Sequence, residues 1–256
     1  MGIEQAFVET LSQHGYHPRS DSHSNFLSEI IVGDLIQQCG LLRQRAANGT
    51  VVAKLRHHQQ VNYADWVIDI AIGTCAGDPK SPPSELAVTT AEPAIIQIAI
   101  ELKSIMTEHG KARKNRLRDF QAFHSYAHQY SPQTVAAAFL VVNSSQYFYS
   151  PLRKPEDITR HGSTVQAARS VAAEAIDLFR TIHLRNSATD IGGLEAIGVV
   201  AVEHDNLIIH PESHLLASLH RKTSVAPTPP SLRVGDPMHY QTMIQRICSQ
   251  YSERFA

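Results

Sequence analysis

The stretch Val135-Ala136-Ala137-Ala138-Phe139-Leu140-Val141-Val142 carries no polar side chain. A strand with one wet face alternates apolar and polar residues. This one does not, so both of its faces must be covered. It is bounded by Ser131-Pro132-Gln133 before and Asn143 after, which suits a short buried strand. Strands of this kind sit in sheets with parallel pairing across a helix, and that forces a layered architecture with helices on the faces of a sheet. With 256 residues, 43% apolar and 18% charged, the chain is long enough to bury such a core in one domain.

Two further strands precede it. One reads Trp66-Val67-Ile68-Asp69-Ile70-Ala71-Ile72 and the other Ala94-Ile95-Ile96-Gln97-Ile98-Ala99-Ile100-Glu101-Leu102-Lys103. Both are rich in β-branched residues. Thr50–Leu55, continuing through Arg56-His57-His58-Gln59-Gln60, forms an antiparallel hairpin with the Asp69 strand. A helix from about Ser104 to Tyr130 then joins the Glu101 strand to the Val135 strand, a βαβ crossover expected to be right-handed.

Acids inside these strands are the unusual feature. Asp69 interrupts an apolar run, and a carboxylate there is costly unless it is paired or binds something. Glu101 and Lys103 are two residues apart, so they share one face of their strand while Leu102 points the other way. Two carboxylates can hold a hard divalent cation through oxygen. Such a cation activates water and stabilises charge on a phosphodiester, and a neighbouring lysine orients the water or balances the developing charge. Asp65, at the start of its strand, is explained more simply by solvation.

With an acid strand, an E-x-K strand and a basic helix in this order, the sequence resembles the PD-(D/E)XK nuclease superfamily, which includes many restriction endonucleases. Asp69 matches the first acid of that pattern, and Glu101 and Lys103 match its E-x-K; the proline that can precede the first acid is absent. The resemblance spans the N-terminal helix to the strand near Val141. It implies an α/β fold, a mixed central sheet flanked by helices (a restriction-endonuclease-like core) with a C-terminal helical extension. It implies a divalent-metal-dependent endodeoxyribonuclease of the type II restriction kind, used in phage defence. Asp69, Glu101 and Lys103 would be catalytic. Asp69 and Glu101, joined by Glu29 from the preceding helix, would hold Mg²⁺, with Mn²⁺ as a substitute. Asp34 is the alternative acid on that helix, and simple solvation is the competing explanation for Glu29.

After the E-x-K strand, Lys111, Arg113, Lys114, Arg116 and Arg118 fall within eight residues. On a helix, Lys111, Lys114 and Arg118 share a face, with Arg113 and Arg116 beside it. Leu117, Phe120 and Phe123 make the opposing apolar stripe. These five are the expected contacts to the backbone of double-stranded DNA, whose phosphates attract Lys and Arg regardless of sequence. The net charge of −1 argues against a general nucleic-acid coat protein, but a nuclease needs only a local positive field.

The three cysteines, Cys39, Cys75 and Cys248, are far apart in sequence and odd in number. A disulfide framework or structural zinc site is not expected, and buried thiols in a reducing cytoplasm are. No charged n-region opens the chain and no run reaches the roughly 18 apolar residues of a membrane span, which points to a cytoplasmic protein without membrane contact. His124 and His128 have the i,i+4 spacing of a zinc pair but no third ligand at a diagnostic distance.

The remaining segments read as a helix over Ile3–His14, a second over Asn25–Arg45, and a loop over Gly73–Pro93 that either closes over substrate or is plain decoration. Tyr147, Phe148 and Tyr149 lie in a loop beside Arg153, Lys154 and Arg160, placed either to stack on bases or to form a hydrophobic flap. Further helices are expected over Thr164–Leu184 and Met238–Phe255. Leu194–Glu203 and Leu207–His210 read as a hairpin around Asp205-Asn206. The expected divisions are a nuclease-like domain over 1–222, a Pro-rich connector over 223–237 and a C-terminal helix over 238–256, packed on the core or on a dimer partner. A duplex has two strands to cut, so a homodimer is the economical assembly, and a companion methyltransferase remains open. Two other functions fit the same residues: a catalytically silent DNA- or partner-binding module of this fold, and a structure-specific repair nuclease.

Overall fold

A computed structural model describes residues 2–78, 87–154, 157–207 and 223–256. Its elements in chain order are α1 (Ile3–His14), α2 (Ser22–Gln38), α3 (Gly40–Ala47), β1 (Val51–Val61), β2 (Ala64–Cys75), β3 (Thr89–Thr90), β4 (Pro93–Ile105), α4 (His109–Tyr130), β5 (Val135–Asn143), β6 (Tyr147–Phe148), β7 (Thr159–Arg160), α5 (Val165–Phe179), β8 (Ala196–His204), β9 (Thr223–Val225) and α6 (Tyr240–Phe255). Among the described residues seven strands form one mixed sheet in the order β3-β1-β2-β4-β5-β8-β9.

The apolar strand behaves as its composition demands. β5 pairs in parallel with β4 on one side and β8 on the other. Its residues Ala137, Phe139 and Val141 enter a core with α1, α2, α3 and α6, while Ala136, Ala138, Leu140 and Val142 enter a second core with α4 and α5. Fully burying one such Phe or Leu side chain contributes about 1.5–3 kcal/mol, and here both faces contribute. β1 and β2 form the antiparallel hairpin, and β2 pairs antiparallel with β4. Helix α4 is the crossover from β4 to β5. The α/β class, the mixed sheet and the flanking helices are thus present.

Three expectations change, and one pair of alternatives narrows. The helix over 25–45 is two helices, broken where Cys39 adopts φ −94°, ψ 102°. Gly40 follows, a weak helix former, and the buried Cys39 turns toward α6. The antiparallel partner of β8 is β9, with Val202 opposite Val225, so the 223–237 connector opens as a strand. The second half of the expected hairpin, from residue 208, lies outside the described residues. The loop over 73–93 begins as the end of β2 and returns as β3, which runs parallel to β1, while its middle, 79–86, lies outside the described residues. Phe148 and Tyr149 are buried. Phe148 meets Tyr16 edge-on and stacks near His161, so neither ring is presented to a nucleic-acid base and the hydrophobic alternative is the one that fits.

Helix α6 packs on its own core. Met243, Ile244, Ile247 and Tyr251 are buried there, and Gly198 on β8 makes room, since a Cβ at that position would meet Met243 Sδ at 2.6 Å. Among the described residues no helix is long and apolar enough to cross a membrane.

Candidate active site

The site lies where β2 parts from β4. The two strands pair from Ile70 opposite Ile100 onward. Before that point β2 changes course: Ile70 and Ile72 belong to the α1/α2/α6 core, but Trp66 and Ile68 belong to the α4/α5 core. The side-chain alternation therefore breaks at Asp69. Its neighbour across the hairpin, Arg56, sits at φ 54° between the pairs Leu55–Ile70 and His57–Ile68. The first part of β2 curls toward α4, where Trp66 packs against Phe123 with ring centres 5.5 Å apart.

This fork explains how Asp69 is accommodated. Leu102 of β4 no longer faces a β2 carbonyl, and its N–H donates instead to Asp69 Oδ2 at 2.7 Å. The carboxylate replaces a lost ladder acceptor. It does so midway between Glu101 and Lys103, which share the α4 side of β4 with Ala99 and Ile105. Lys103 Nζ donates to Glu101 Oε1. The structure brings Asp69, Glu101 and Lys103 into one locality.

Glu101 is 9% exposed. Burial, and then the nearby charge of Asp69, raise its carboxyl to about 7 against the lowering effect of Lys103. The charge of Asp119 on α4 adds to the rise. Asp119 pairs with Arg116 at 2.8 Å, and Arg116 Nε reaches the Ser104 carbonyl at 3.4 Å. A turn of α4 thus lies over the end of the E-x-K strand. The sequence signal for that layer is weak, because Asp119 looks like an ordinary i,i+3 partner of Arg116.

Glu29 is placed elsewhere. It is exposed on α2 and lines a cavity of about 420 Å³ with Val32, Gly33, Lys54, Leu55 and Val88. Helix α2 packs on the opposite face of the sheet from α4, and neither Asp69 nor Glu101 lines that cavity. Asp34 accepts from Tyr240 Oη at 2.6 Å and ties α2 to α6.

The five basic residues divide. Lys111, Lys114 and Arg118 are exposed with no ion pair among the described residues. Arg113 pairs with Glu174 of α5 at 3.4 Å, and Arg116 with Asp119. The free stripe is anchored at its start. His109 is buried and Nε2 donates to the Asn143 carbonyl at 2.6 Å. Burial, and then His161, hold its imidazole down at about 4, so it is neutral at pH 7. Asn143 in turn holds both the N–H and the carbonyl of His204. The N-terminal turn of α4 is fixed to the ends of β5 and β8.

His128 is engaged in a different task. With Arg185 and Arg254 it surrounds the fully buried Glu195, at 3.3, 3.0 and 3.0 Å, and the Ala136 N–H donates to the same carboxylate at 2.7 Å.

Oxygen ligands suit a hard cation. After the contacts above, Asp69 Oδ1 and Glu101 Oε2 carry no hydrogen bond among the described residues. Among those residues no three His, Cys, Asp or Glu side chains gather into a metal-sized group. Mg²⁺ is commonly held by one or two carboxylates with water completing its shell, so the pair fits it. Comparison with protein-family models, curated proteins and solved structures finds no match to this chain.

Proposed function

We propose that the protein is a divalent-metal-dependent endodeoxyribonuclease of the PD-(D/E)XK kind, acting on double-stranded DNA in the manner of type II restriction enzymes. The observation that carries the reading is the Asp69 carboxylate bonded to the backbone between Glu101 and Lys103, with a free basic stripe on the helix that follows. Asp69 Oδ1 and Glu101 Oε2 would hold Mg²⁺, which supplies an acidified water and a counter-charge for the phosphate. Lys103 stands beside Glu101, where its ammonium offsets negative charge developing on the phosphoryl oxygens. Lys111, Lys114 and Arg118 hold the duplex by its phosphates without reading sequence.

A second reading, a silent binding module, is favoured by one observation. Asp69 Oδ2 serves the Leu102 amide and Glu101 Oε1 serves Lys103, so part of each carboxylate is already used within the fold. The two readings part on a gel. The purified protein is incubated with phage and plasmid DNA in Mg²⁺ and in EDTA, beside Lys103→Ala and Asp69→Asn. The nuclease reading expects Mg²⁺-dependent bands from the parent. It expects both variants to bind DNA but cut at least about 100-fold more slowly, the scale of losing one charge-stabilising group. A Lys103→Ala protein that cuts as fast as the parent removes the assignment. DNA bound but intact in every lane favours the silent module.

A further inference from the structure

We propose that Cys39 and Cys248 form a redox-active dithiol, which a hydroperoxide closes into an intrachain disulfide that staples α6 to the junction of α2 and α3. The inference is independent of whether the chain cuts DNA.

The geometry comes first. Cys39 is the single residue between α2 and α3 and is 2% exposed. Cys248 is half-buried on α6. They are 209 positions apart, yet the Cys39 thiol lies 3.9 Å from the Cys248 carbonyl, and each thiol is the largest influence on the ionisation of the other. The surrounding contact is firm on both sides. Tyr240 bonds to Asp34 one end along α6. At the other, Arg45 reaches the Phe255 carbonyl and its guanidinium lies 5.9 Å from the centre of the Tyr251 ring. The dithiol sits in the middle of this seam, so the two sulfurs are held together.

The two sulfurs are also chemically unlike. Cys39 precedes the first turn of α3, and after Cys248 the Leu42 and Leu41 amides and the Ser252 hydroxyl favour its charged form. Hydrogen-bond donors at a helix start favour the thiolate. The Cys248 thiol and these donors push Cys39 below its ordinary value despite burial, whereas Cys248 is pushed up by Cys39 and by burial. Of the two, Cys39 is the one drawn toward the thiolate and Cys248 the one held toward the thiol. That is the arrangement of an attacking and a resolving cysteine.

The reaction balances with one peroxide. The Cys39 thiolate attacks a peroxide oxygen, the O–O bond breaks, and hydroxide leaves, taking a proton to become water. Cys39 is now a sulfenic acid. The Cys248 sulfur attacks the Cys39 sulfur, the S–O bond breaks, and the departing hydroxide takes the Cys248 proton. Two thiols and hydrogen peroxide become one disulfide and two waters. The thiols lose two electrons and the peroxide gains them. Hydrogen peroxide is little larger than water, which suits a site whose attacking sulfur is nearly enclosed.

Cys75 supplies an internal control. At the far end of β2, its thiol is near the Ala76 and Asp78 carbonyls at 3.6 and 3.7 Å, and its hydrogen-bond partners among the described residues include neither of the other cysteines.

The test uses the full chain. The folded protein is treated with a small excess of hydrogen peroxide, quenched with catalase, denatured and alkylated, and its peptides are identified by mass spectrometry. Expected are a linked Cys39–Cys248 peptide, an alkylated Cys75, and a thiol count in denaturant falling from three to one. Oxidised protein should melt at a higher temperature than reduced protein, because closing a long loop constrains the unfolded chain. In Cys248→Ser, Cys39 should instead be trapped as its dimedone adduct. Three intact thiols, oxidation confined to Cys75, or a link between chains overturns the proposal. So does a Cys248→Ser protein whose Cys39 never reacts with dimedone.

Discussion

Two carboxylates are buried against the same sheet and are treated in opposite ways. Glu195, immediately before β8, is 0% exposed. Burial alone would raise it, but His128, Arg254 and the Ala136 amide outweigh that effect and hold its carboxyl below the ordinary range. Glu101, near the end of β4, has one cation, Lys103, and lies within reach of two further acids. Its carboxyl sits at about 7. Both acids lie under α4, at opposite ends of the parallel strands. The contrast separates a charge that holds a fold together from one that the fold leaves short of compensation. An acid of the first kind needs nothing further. One of the second kind is stabilised by whatever brings positive charge, and that is why the candidate site is placed at Glu101 and not at the denser cluster around Glu195.

The largest effect expected from breaking this contrast is at Glu195. Replacing it by Ala leaves Arg185, 1% exposed, and Arg254 without their counter-charge. Removing one partner of a buried ion pair costs about 3–5 kcal/mol. Urea unfolding at pH 7 should show a loss of that size. A loss below about 1 kcal/mol, the range of exposed pairs, would mean that the cluster is not the lock described here.

At Glu101 the sign reverses with pH. The folded value of about 7 lies above the unfolded value near 4.5, so between them the folded protein binds more protons. Stability from this group is present below about pH 4.5 and is lost as pH rises through about 7. Glu101→Gln cannot ionise. In EDTA it should match the parent near pH 4 and become the more stable protein above pH 8, by up to on the order of 3 kcal/mol. A melting-temperature difference that stays flat from pH 4 to 8 would show that Glu101 is compensated as fully as Glu195.

How far the sequence discloses these features depends on how local each cause is. Side-chain alternation along one strand is enough to set Glu101 and Lys103 on one face, and the unbroken apolar run of β5 requires cover on both sides. The pairing of Lys111, Lys114 and Arg118 on one face of α4 is equally local. Nothing local distinguishes Arg113 from Lys114, because its partner Glu174 lies 61 residues on. The direction in which Glu29 points follows from which face of the sheet α2 covers, a tertiary choice. The same holds for the break at Cys39 and for its meeting with Cys248. The Glu195 cluster draws on β5, α4, α6 and the segment before β8, and in sequence its members are scattered and unremarkable.

Asp69 joins the two kinds of acid, since it is both a backbone acceptor and a charge beside Glu101. Two substitutions separate these roles by an effect smaller than those above. Asp69→Ala leaves the buried Leu102 N–H without an acceptor, which costs about 1–3 kcal/mol. Asp69→Asn keeps an oxygen for that N–H and should retain most of the stability. Both remove the negative charge beside Glu101, so in both the pH at which Glu101 titrates should fall, because that charge is a cause of its rise. Equal stability of the Ala variant and the parent would show that the fork between β2 and β4 does not depend on the Leu102 bond. Equal loss in the two variants would show that the full carboxylate, and not merely an acceptor, holds it. If Asn keeps the fork while cleavage disappears, the acid is there for its charge, and the hydrogen bond to β4 is what aims it.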